Sequence, residues 1–498
     1  MSSTHLSVLE SSASRYAIEV IEWQSITYSQ FAHDVEHFAK YWTRTLRVSG
    51  VPQRSTIGMW IGGFTYIDLL HIYGMCRAGY IPQLFSLRLP NPDVVFELLS
   101  RSRARALVYD ASFAHAVRKA PIPTHLAIDA RGEDLDALPL PTHPRVTADD
   151  VAFYYHTSGS TSGSPKVVPY DYRWLESAVN KSEQVSRPRD PARQDVSMWM
   201  GSMCHVGQSF MLIGSLQHGS CTIQPRVIGF SSEELLDMIS RCGLNRLNQF
   251  AGFLAGHLRH AQADPKFHAV LRGFDEILYS GMPLPRAEEQ FALQSGLPLV
   301  NLLGSTECGA MMRGDDGILR PLRGTRYEFV PIDGAVDTGY ESSARLLEMV
   351  IRGDSPDCPR DRRAADGHFH TGDLFAQVVP GGYVYRGRDD DWIKSQTSLR
   401  CDTRAIEDNA RATCGHLIAE CIVVGTGRPS PVIFIEPVDA NADAEKIKRE
   451  IIRKTRAFHS RRYLHERITS TKMVIVVPRG TLPRTATKGN VRRQAIFA

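Results

Sequence analysis

The sequence predicts an α/β protein with a large N-terminal body of layered α/β subdomains and a small, mobile α+β C-terminal lid. Its 498 residues are about three times the length of a typical domain. Short apolar, β-branched runs alternate with segments of helical period, which is typical of α/β architectures. A turn-rich, charged stretch at residues 380–391 (PGGYVYRGRDDD) separates a final unit of small-domain size. We therefore place the N-terminal core at residues 1–388 and the lid at residues 389–498.

The predicted strands are nearly continuous apolar runs, as expected for strands buried on both faces. They cover residues 106–109, 151–155, 221–224, 276–280, 298–303, 421–425 and 473–477. Helical patterns separate them at residues 28–46, 65–78, 231–241, 286–295 and 444–459.

Composition excludes several classes of protein. Hydrophobic residues make up 43% and charged residues 22%, close to globular averages, so disordered, collagen-like and coiled-coil chains are excluded. No segment has the about 20 uninterrupted apolar residues of a membrane helix, and residues 1–16 lack a secretory pattern. Nine cysteines without CxxC spacing indicate a reducing interior, so a cytoplasmic location is expected.

The net charge of +4 divides unevenly along the chain. Residues 441–498 hold 15 Lys/Arg and 4 Asp/Glu, an excess of +11, so the other residues sum to −7. The basic segment is interpreted either as a solvated face or as a surface that meets polyanions such as nucleotide phosphates. No basic–aromatic nucleic-acid module is present, so we expect no nucleic-acid partner.

A glycine-rich loop at residues 156–169 (HTSGSTSGSPKVVP) follows an apolar run. Hydroxyls, backbone N–H groups and a lysine in such a loop can wrap phosphate oxygens. A flexible Ser/Gly linker is the alternative, but it would not sit against a buried strand. The GxxxxGK[ST] pattern of P-loop NTPases is not met. The candidate phosphate-binding residues are Thr157, Ser158, Gly159, Ser160, Thr161, Gly163 and Lys166.

This loop resembles T-S-G-[ST]-T-G-x-P-K of the adenylate-forming superfamily, with Ser162 inserted. That superfamily includes acyl-CoA synthetases, luciferases and nonribosomal peptide synthetase (NRPS) adenylation domains. Four further motifs follow in the family's order: NLLGSTE at 301–307, TGD at 371–373, GRDDDWIK at 387–394 and LPRTATKGNVRR at 482–493. Residues 79–92 and 395–408 resemble the adenylation domains of fungal NRPS-like synthetases and carboxylic acid reductases.

The resemblance implies roles in nucleotide binding. Asn301 would meet the adenine edge, in a motif that continues through Gly304 and Ser305 and has Leu303 in place of the usual tyrosine. Thr306 would contact the α-phosphate and Glu307 would hold Mg²⁺, which suits the preference of Mg²⁺ for hard oxygen ligands. The nucleoside would be held by Asp373, Tyr385 and Arg388, with Asp373 on the ribose hydroxyls.

The resemblance also implies a catalytic lysine and a hinge. Lys488 would bridge the substrate carboxylate and the α-phosphate. The order here is Lys-Gly where the family has Gly-Lys, so Arg484 is the alternative. Asp390 would be the hinge about which the lid turns.

The acyl pocket of the family lies between segments that correspond to residues 199–208, 248–256 and 279–304. We expect its lining to include His205, Phe250, Gly252, Tyr279, Gly281 and Met282. Relatives that activate amino acids usually carry an aspartate in the first segment, but WMGSMCHVGQ at 199–208 has no acidic residue. An unpaired ammonium in the pocket would be costly, so the expected substrate is an acid without an α-amine, preferably an aryl acid. His205, if it does not contact the substrate, would be a packed core histidine.

The implied reaction uses ATP and Mg²⁺ to convert a small carboxylic acid to acyl-AMP and pyrophosphate. The acyl group would then pass to the phosphopantetheine thiol of a carrier domain. No carrier segment follows Arg493, so the chain is expected to be either an adenylation domain of a larger synthetase or a free-standing acyl- or aryl-CoA ligase. A catalytically inactive adenylate-binding module is a third alternative.

Overall fold

The structure is a computed structural model that describes residues 22–157, 166–332, 346–389, 392–394, 400–460, 462, 466–484 and 491–496. In the first part of the chain the strands are β1 (Thr56–Trp60), β2 (Ile81–Phe85), β3 (Ala106–Tyr109), β4 (Thr124–Leu126), β5 (Val151–His156) and β6 (Val167–Asp171). The helices are α1 (Tyr28–Val48), α2 (Tyr66–Arg77) and α3 (Pro92–Arg101). The strands form one sheet in the order β4-β3-β1-β2-β5-β6, in which only the β5–β6 pair is antiparallel.

A second sheet follows, with strands β7 (Val196–Met198), β8 (Cys221–Ile223), β9 (Arg246–Phe250), β10 (Glu276–Ser280), β11 (Leu299–Ser305), β12 (Gly309–Gly314) and β13 (Arg320–Pro321). Its helices are α4 (Tyr172–Val185), α5 (Val206–His218), α6 (Ser232–Cys242), α7 (Ala251–Ala263), α8 (Pro265–Arg272) and α9 (Arg286–Gln294). The order is β13-β12-β11-β10-β9-β7-β8, with β12 and β13 antiparallel to their neighbours.

The body is layered because residues of alternate orientation on each strand enter different core clusters. Ile57 and Met59 of β1 share a core with α1, α2, α4, α5 and the second sheet, whereas Trp60 packs with α3 on the other face. Ile277 of β10 packs with α6–α9, whereas Leu278 belongs to the core shared by both sheets. The predicted layered α/β body is therefore confirmed.

A third sheet is wholly antiparallel and contains β14 (Tyr327–Pro331), β15 (Leu346–Ile351), β16 (Phe369–Val379) and β17 (Gly382–Arg388). The last part of the chain contains β18 (Trp392–Lys394), β19 (Arg400–Asp402), α10 (Thr403–Cys414), β20 (Ile418–Val424), β21 (Val432–Pro437), α11 (Ala444–Ser460) and β22 (Val474–Val476). These elements surround a separate core, as expected for a small α+β unit. The boundary at 388/389 stays a prediction, and Asp390 lies outside the described residues.

Local sequence signals explain several helix starts. Thr65 and Asp68 form a capping box at α2, and Asn91 precedes Pro92 at the start of α3. The apolar stretch at 57–81, the richest in the chain, is divided into β1, α2 and β2. Among the described residues, no helix has the length and apolar character needed to cross a lipid bilayer. All nine cysteines are free, as their spacing predicted.

Candidate active site

The two ends of the glycine-rich loop are joined at the carboxyl end of β5. The Thr157 backbone N–H donates to the Lys166 carbonyl at 3.0 Å, and the Lys166 N–H donates to Thr157 Oγ1 at 3.3 Å. The predicted phosphate-binding residues between them, Ser158, Gly159, Ser160, Thr161 and Gly163, lie outside the described residues. The loop therefore starts and ends at one point beside the parallel sheet, where α/β proteins bind ligands.

A partly buried histidine at the end of β5 supports the start of this loop. His156 Nδ1 lies 3.0 Å from the Leu84 carbonyl, its Nε2 accepts from Gln83 Nε2 at 3.1 Å, and its ring stacks on Phe85. Ser102 Oγ donates to Gln83 Oε1 at 2.6 Å and completes the network. Burial lowers the pKa of His156 to about 4. These contacts suit a neutral ring with its proton on Nδ1.

Acidification is expected to destabilise the protein between about pH 6.5 and pH 4. The folded-state pKa of His156 is lowered to about 4, as is that of His257 and His459, so the unfolded chain binds more protons in this window. Their stabilising contribution is fully present above the unfolded pKa and is lost as pH falls. Urea unfolding at pH 7.5 and pH 5.0 should show a lower midpoint at pH 5.0. His156→Gln should reduce the difference in urea midpoint between the two pH values. An equal difference in the variant would contradict a lowered pKa of His156 in the folded protein.

The Thr306–Glu307 turn joins β11 to β12. Asn301 lies on β11 opposite Tyr279 of β10, and the register shifts between Leu303 and Gly304. A Cβ at Gly304 would come 2.6 Å from the Gly309 carbonyl oxygen, so the close approach of the two strands requires glycine there. Ser305 Oγ accepts from the Cys308 N–H at 3.2 Å and tightens the turn.

Arg362, which no motif predicted, links this turn to the phosphate loop. Its Nη1 lies 3.8 Å from Glu307 Oε1, and its Nη2 donates to the Val167 carbonyl at 3.1 Å, one residue after Lys166. Because the guanidinium forms an ion pair with Glu307 and a hydrogen bond with the Val167 carbonyl, it keeps Glu307 beside the exit of the glycine-rich loop. No sequence motif marks it, since it lies in a short 3-10 helix (Arg360–Arg362) far from both partners in the chain.

The Glu307 carboxylate is chemically suited to Mg²⁺. Its side chain is 22% exposed, so it is within reach of a ligand. Among the described residues there is no group of three or more His, Cys, Asp or Glu side chains that could enclose a metal ion. Mg²⁺ is commonly held by one or two carboxylates together with substrate phosphates, and this donor set fits that mode.

The three residues predicted to hold the nucleoside are brought together on β16 and β17. Asp373 and Arg388 are opposite each other in the register, with Arg388 Nη1 3.6 Å from Asp373 Oδ1. The Tyr385 hydroxyl donates to the same Oδ1 at 3.2 Å. Gly372 has φ +69°, and Thr371 Oγ1 accepts from the Asp373 N–H at 3.0 Å. The TGD turn thus presents a carboxylate flanked by an aromatic ring and a guanidinium.

His205 and Phe250 form the predicted acyl pocket's aromatic pair. His205 caps α5, with its Nδ1 accepting from the Gly207 N–H at 3.1 Å, so a neutral ring carries its proton on Nε2. Its ring meets Phe250 edge-on, with centroids 5.6 Å apart. Cβ atoms at Gly201 and Gly281 would come 2.8 and 2.9 Å from the Phe250 ring, and Gly281 has φ +87°. The two glycines therefore leave room for the ring.

The other predicted pocket residues differ in their surroundings and exposure. A Cβ at Gly252, in the first turn of α7, would meet no heavy atom within 4 Å, and Met282 is 63% exposed. Tyr279 is placed differently from the prediction. It is 1% exposed in the core cluster packed on α6–α9, and its hydroxyl donates to Glu289 Oε1 at 2.9 Å. Because side chains alternate between the two faces of a strand, that of Tyr279 points into the protein core. Burial of its ring there stabilises the core.

Arg484, the alternative to Lys488, is held by ion pairs within the predicted lid. It lies 2.9 Å from Glu436, a side chain only 2% exposed, and 3.4 Å from Glu420. It also forms a β-bridge with Val491. Lys488 itself lies outside the described residues. The structure therefore gives Arg484 an anchoring contact at one end of the lysine segment.

Comparison with known proteins gives the family. The profile of AMP-binding enzymes matches residues 9–330, and that of the AMP-binding enzyme C-terminal domain matches residues 390–498. The chain is 35% identical to the AMP-binding domain-containing enzyme iboA of Amanita muscaria (strain Koide BX008), over 93% of this chain and 92% of that protein. It is 24% identical to the adenylate-forming reductase Nps11 of Serpula lacrymans var. lacrymans (strain S7.9), over 85% of this chain and 41% of that protein.

The fold agrees with this relationship. The o-succinylbenzoate CoA synthetase (MenE) of Bacillus subtilis, solved with its acyl-adenylate intermediate OSB-AMP, superposes with a TM-score of 0.73 at 18% identity, over 95% of this chain and 94% of that chain. The chain therefore belongs to the AMP-binding enzyme family, as an acyl-adenylate-forming ligase.

Proposed function

We propose that the protein activates an acid that lacks an α-amine, preferably an aryl acid, and passes the acyl group to the phosphopantetheine thiol of a carrier domain. The observation that carries the choice of acid is the pocket segment 199–208. This segment has no carboxylate, and its His205 meets the Phe250 ring. An ammonium group there would gain no ionic partner from this segment, whereas a flat ring suits a wall made of Phe250 and two glycines.

The first half-reaction joins two anions. A carboxylate oxygen attacks the α-phosphorus of ATP, the bond to the β,γ-diphosphate breaks, and pyrophosphate leaves. Mg²⁺ and Lys488 would lower the repulsion between substrate carboxylate and phosphates. Glu307 would hold the cation, and Thr306, the loop residues of 157–166 and Lys488 would orient the reacting groups. The lid would then turn near Asp390 and admit the thiol, which attacks the acyl carbonyl and releases AMP.

The contacts on β16 and β17 support the proposed nucleoside roles. Asp373 is only 10% exposed and lies between Tyr385 and Arg388, so its carboxylate is preoriented to accept hydrogen bonds from a ribose cis-diol. Arg388, 44% exposed, can reach ribose and phosphate oxygens beyond it.

Replacing Asp373 with Asn is expected to raise KM for ATP by about 10- to 100-fold, because a hydrogen bond to a charged group contributes about 1.5–3 kcal/mol. KM for the acid should stay unchanged. ATP–pyrophosphate exchange at saturating acid measures the effect. Asp366→Asn is a suitable control, since Asp366 is an exposed carboxylate 2.9 Å from His370, which lies on the same strand as Asp373. An equal rise in both variants would contradict the ribose assignment.

A panel of acids tests the substrate class. Pyrophosphate release is measured with benzoate, cinnamate, phenylpyruvate, hexanoate and phenylalanine. We expect an aryl acid to give the highest rate, and preferential activation of phenylalanine would refute the assignment. Silence across the panel with nucleotide still bound would favour an inactive binding module.

The acceptor is tested with CoA and with phosphopantetheinylated carrier domains. The carrier proposal is supported by the likeness of residues 79–92 and 395–408 to NRPS-like synthetases, and by Nps11 as a relative. The alternative, a free-standing acyl- or aryl-CoA ligase, is supported by the name of the structural neighbour MenE, a CoA synthetase. Faster thioester formation on a carrier supports the first, and faster formation on CoA supports the second.

A further inference from the structure

Three side chains that follow the glycine-rich loop in sequence hold the backbone of the Thr306–Glu307 turn. The Tyr170 hydroxyl donates to the Thr306 carbonyl. Trp174 Nε1 donates to the Cys308 carbonyl at 3.1 Å, and Lys181 Nζ donates to the Ala310 carbonyl at 2.6 Å. The three donors come from the end of β6 and from α4, and they bond to alternate carbonyls along the turn and β12.

Lys181 is the deepest of the three donors. Its side chain is 2% exposed and lies 2.8 Å from Asp357, whose side chain is 0% exposed. The ammonium also donates to the Cys308 carbonyl at 3.4 Å. Asp357 in turn accepts from Ser355 Oγ at 2.6 Å and from the Tyr327 hydroxyl. The ammonium therefore has an acceptor for each of its three protons, and the pair is a fully bonded buried network.

A buried ion pair is not needed for stability alone. Removing two charges from water is costly, and well-packed apolar residues of similar volume often stabilise a core at least as well. The Lys181 ammonium instead fixes the orientation of the backbone, because it donates hydrogen bonds to two carbonyls of one short segment. The packing is equally close, since a Cβ at Gly309 would lie 2.6 Å from the Trp174 ring. The turn is thus fixed by hydrogen bonds and by contact with a rigid ring.

We propose that the Lys181–Asp357 pair, with Tyr170 and Trp174, positions Thr306 and Glu307 for the α-phosphate and the divalent cation. Lys181 and Asp357 are positioning residues, because they act through the turn backbone. This inference rests on the roles proposed above for Thr306 and Glu307. It adds a link between two parts of the site, since the helix that follows the phosphate loop sets the geometry of the cation-binding turn.

The test removes the charges together. Lys181→Met with Asp357→Asn eliminates the ammonium, leaves no unpaired buried ion, and lets the asparagine keep partners for Ser355 and Tyr327. Mn²⁺ binding in the presence of α,β-methylene-ATP is measured by electron paramagnetic resonance. We expect about 10-fold weaker Mn²⁺ binding and a fall of up to about 100-fold in kcat for pyrophosphate exchange, as for other small displacements of reacting groups. KM for the acid should not change.

Two further variants keep the result decisive. Tyr170→Phe removes one hydroxyl and should weaken Mn²⁺ binding about 3-fold, in line with loss of one net hydrogen bond. If the double variant fails to fold, Tyr170→Phe by itself tests the positioning role. Asp195→Asn is the matched control, since Asp195 is a buried carboxylate 3.0 Å from Arg246 at the opposite strand ends of the second sheet. It should lower stability and leave Mn²⁺ binding unchanged.

The outcomes separate this inference from the proposed function. Folded double and Tyr170→Phe variants that bind Mn²⁺ as tightly as wild type would overturn the positioning role while the proposed function stands. Equal weakening in the Asp195→Asn control would overturn it too, because the effect would then follow stability. If wild-type protein with the nucleotide analogue binds no Mn²⁺ and Glu307→Gln changes nothing, the role of Glu307 fails first, and this inference fails with it.

Discussion

Replacing Lys488 with alanine is expected to slow adenylate formation by about 10²- to 10³-fold, the usual loss when one preorganised charge-stabilising group is removed. The physical reason is that the substrate carboxylate and the α-phosphate are both anionic as they approach. Transfer of the acyl group from a supplied acyl-adenylate should be spared, because the proposed lid rotation withdraws Lys488 before the thiol reacts. Rapid-quench measurement of each half-reaction separates the two effects.

The described residues on either side of Lys488 anchor the segment that contains it. Arg484 is paired with Glu436, and Arg493 lies 2.6 Å from the buried Glu407. Both ends of the segment are therefore tied to the core of the predicted lid. Lys446→Ala, at an exposed position on α11, is the control and should leave both steps unchanged. Equal loss of the two half-reactions in Lys488→Ala would contradict the proposal that lid rotation withdraws Lys488 before the thiol reacts.

Replacing Arg246 with methionine is expected to lower the free energy of unfolding by about 3–5 kcal/mol, the usual cost of removing one partner of a buried ion pair. Its guanidinium lies 3.0 Å from Asp195 and 2.7 Å from Glu276, and all three side chains are 5% exposed or less. It also donates to the carbonyls of Val185 and Ser186, so these would lose a donor. Urea unfolding at pH 7.5 measures the loss.

An exposed pair on the same sheet provides the control for Arg246. Arg320 lies 3.0 Å from Asp316, but both side chains are nearly half exposed. Arg320→Met should therefore change stability by less than about 1 kcal/mol. A similar loss in both variants would show that burial does not set the contribution of these pairs.

The motifs predicted residues that lie close in sequence, or on neighbouring strands of fixed register. TGD identifies Asp373, and GRDDDWIK identifies Arg388, with Tyr385 three residues before it. The β16–β17 pairing brings the three together. Tyr279 shows the limit of this reasoning. The strand was correct, but sequence alone did not indicate which face of β10 its side chain would occupy.

Contacts between residues that lie far apart in the chain had no recognisable pattern in the sequence. Arg362 is 195 residues from Val167, and Lys181 is 176 residues from Asp357. Lysine at position 181 is compatible with a solvated helix face, and only the packing of α4 against β12 removes it from water. Whether such residues form a pair depends on their distance in the folded structure and on their burial. The periodicity of hydrophobic residues in the sequence indicates neither.

The sequence by itself determined the α/β class, the positions of seven strands and five helices, the order of the five motifs and hence the chemistry, because local periodicity and short motifs carry that information. The tertiary structure decided which side chains face one another. It joined Arg362 to Glu307, Lys181 to Asp357 and His205 to Phe250, and it directed Tyr279 into the core. The physical reason is that burial and hydrogen-bond partners depend on how sheets and helices pack, which separates residues near in sequence and joins those far apart.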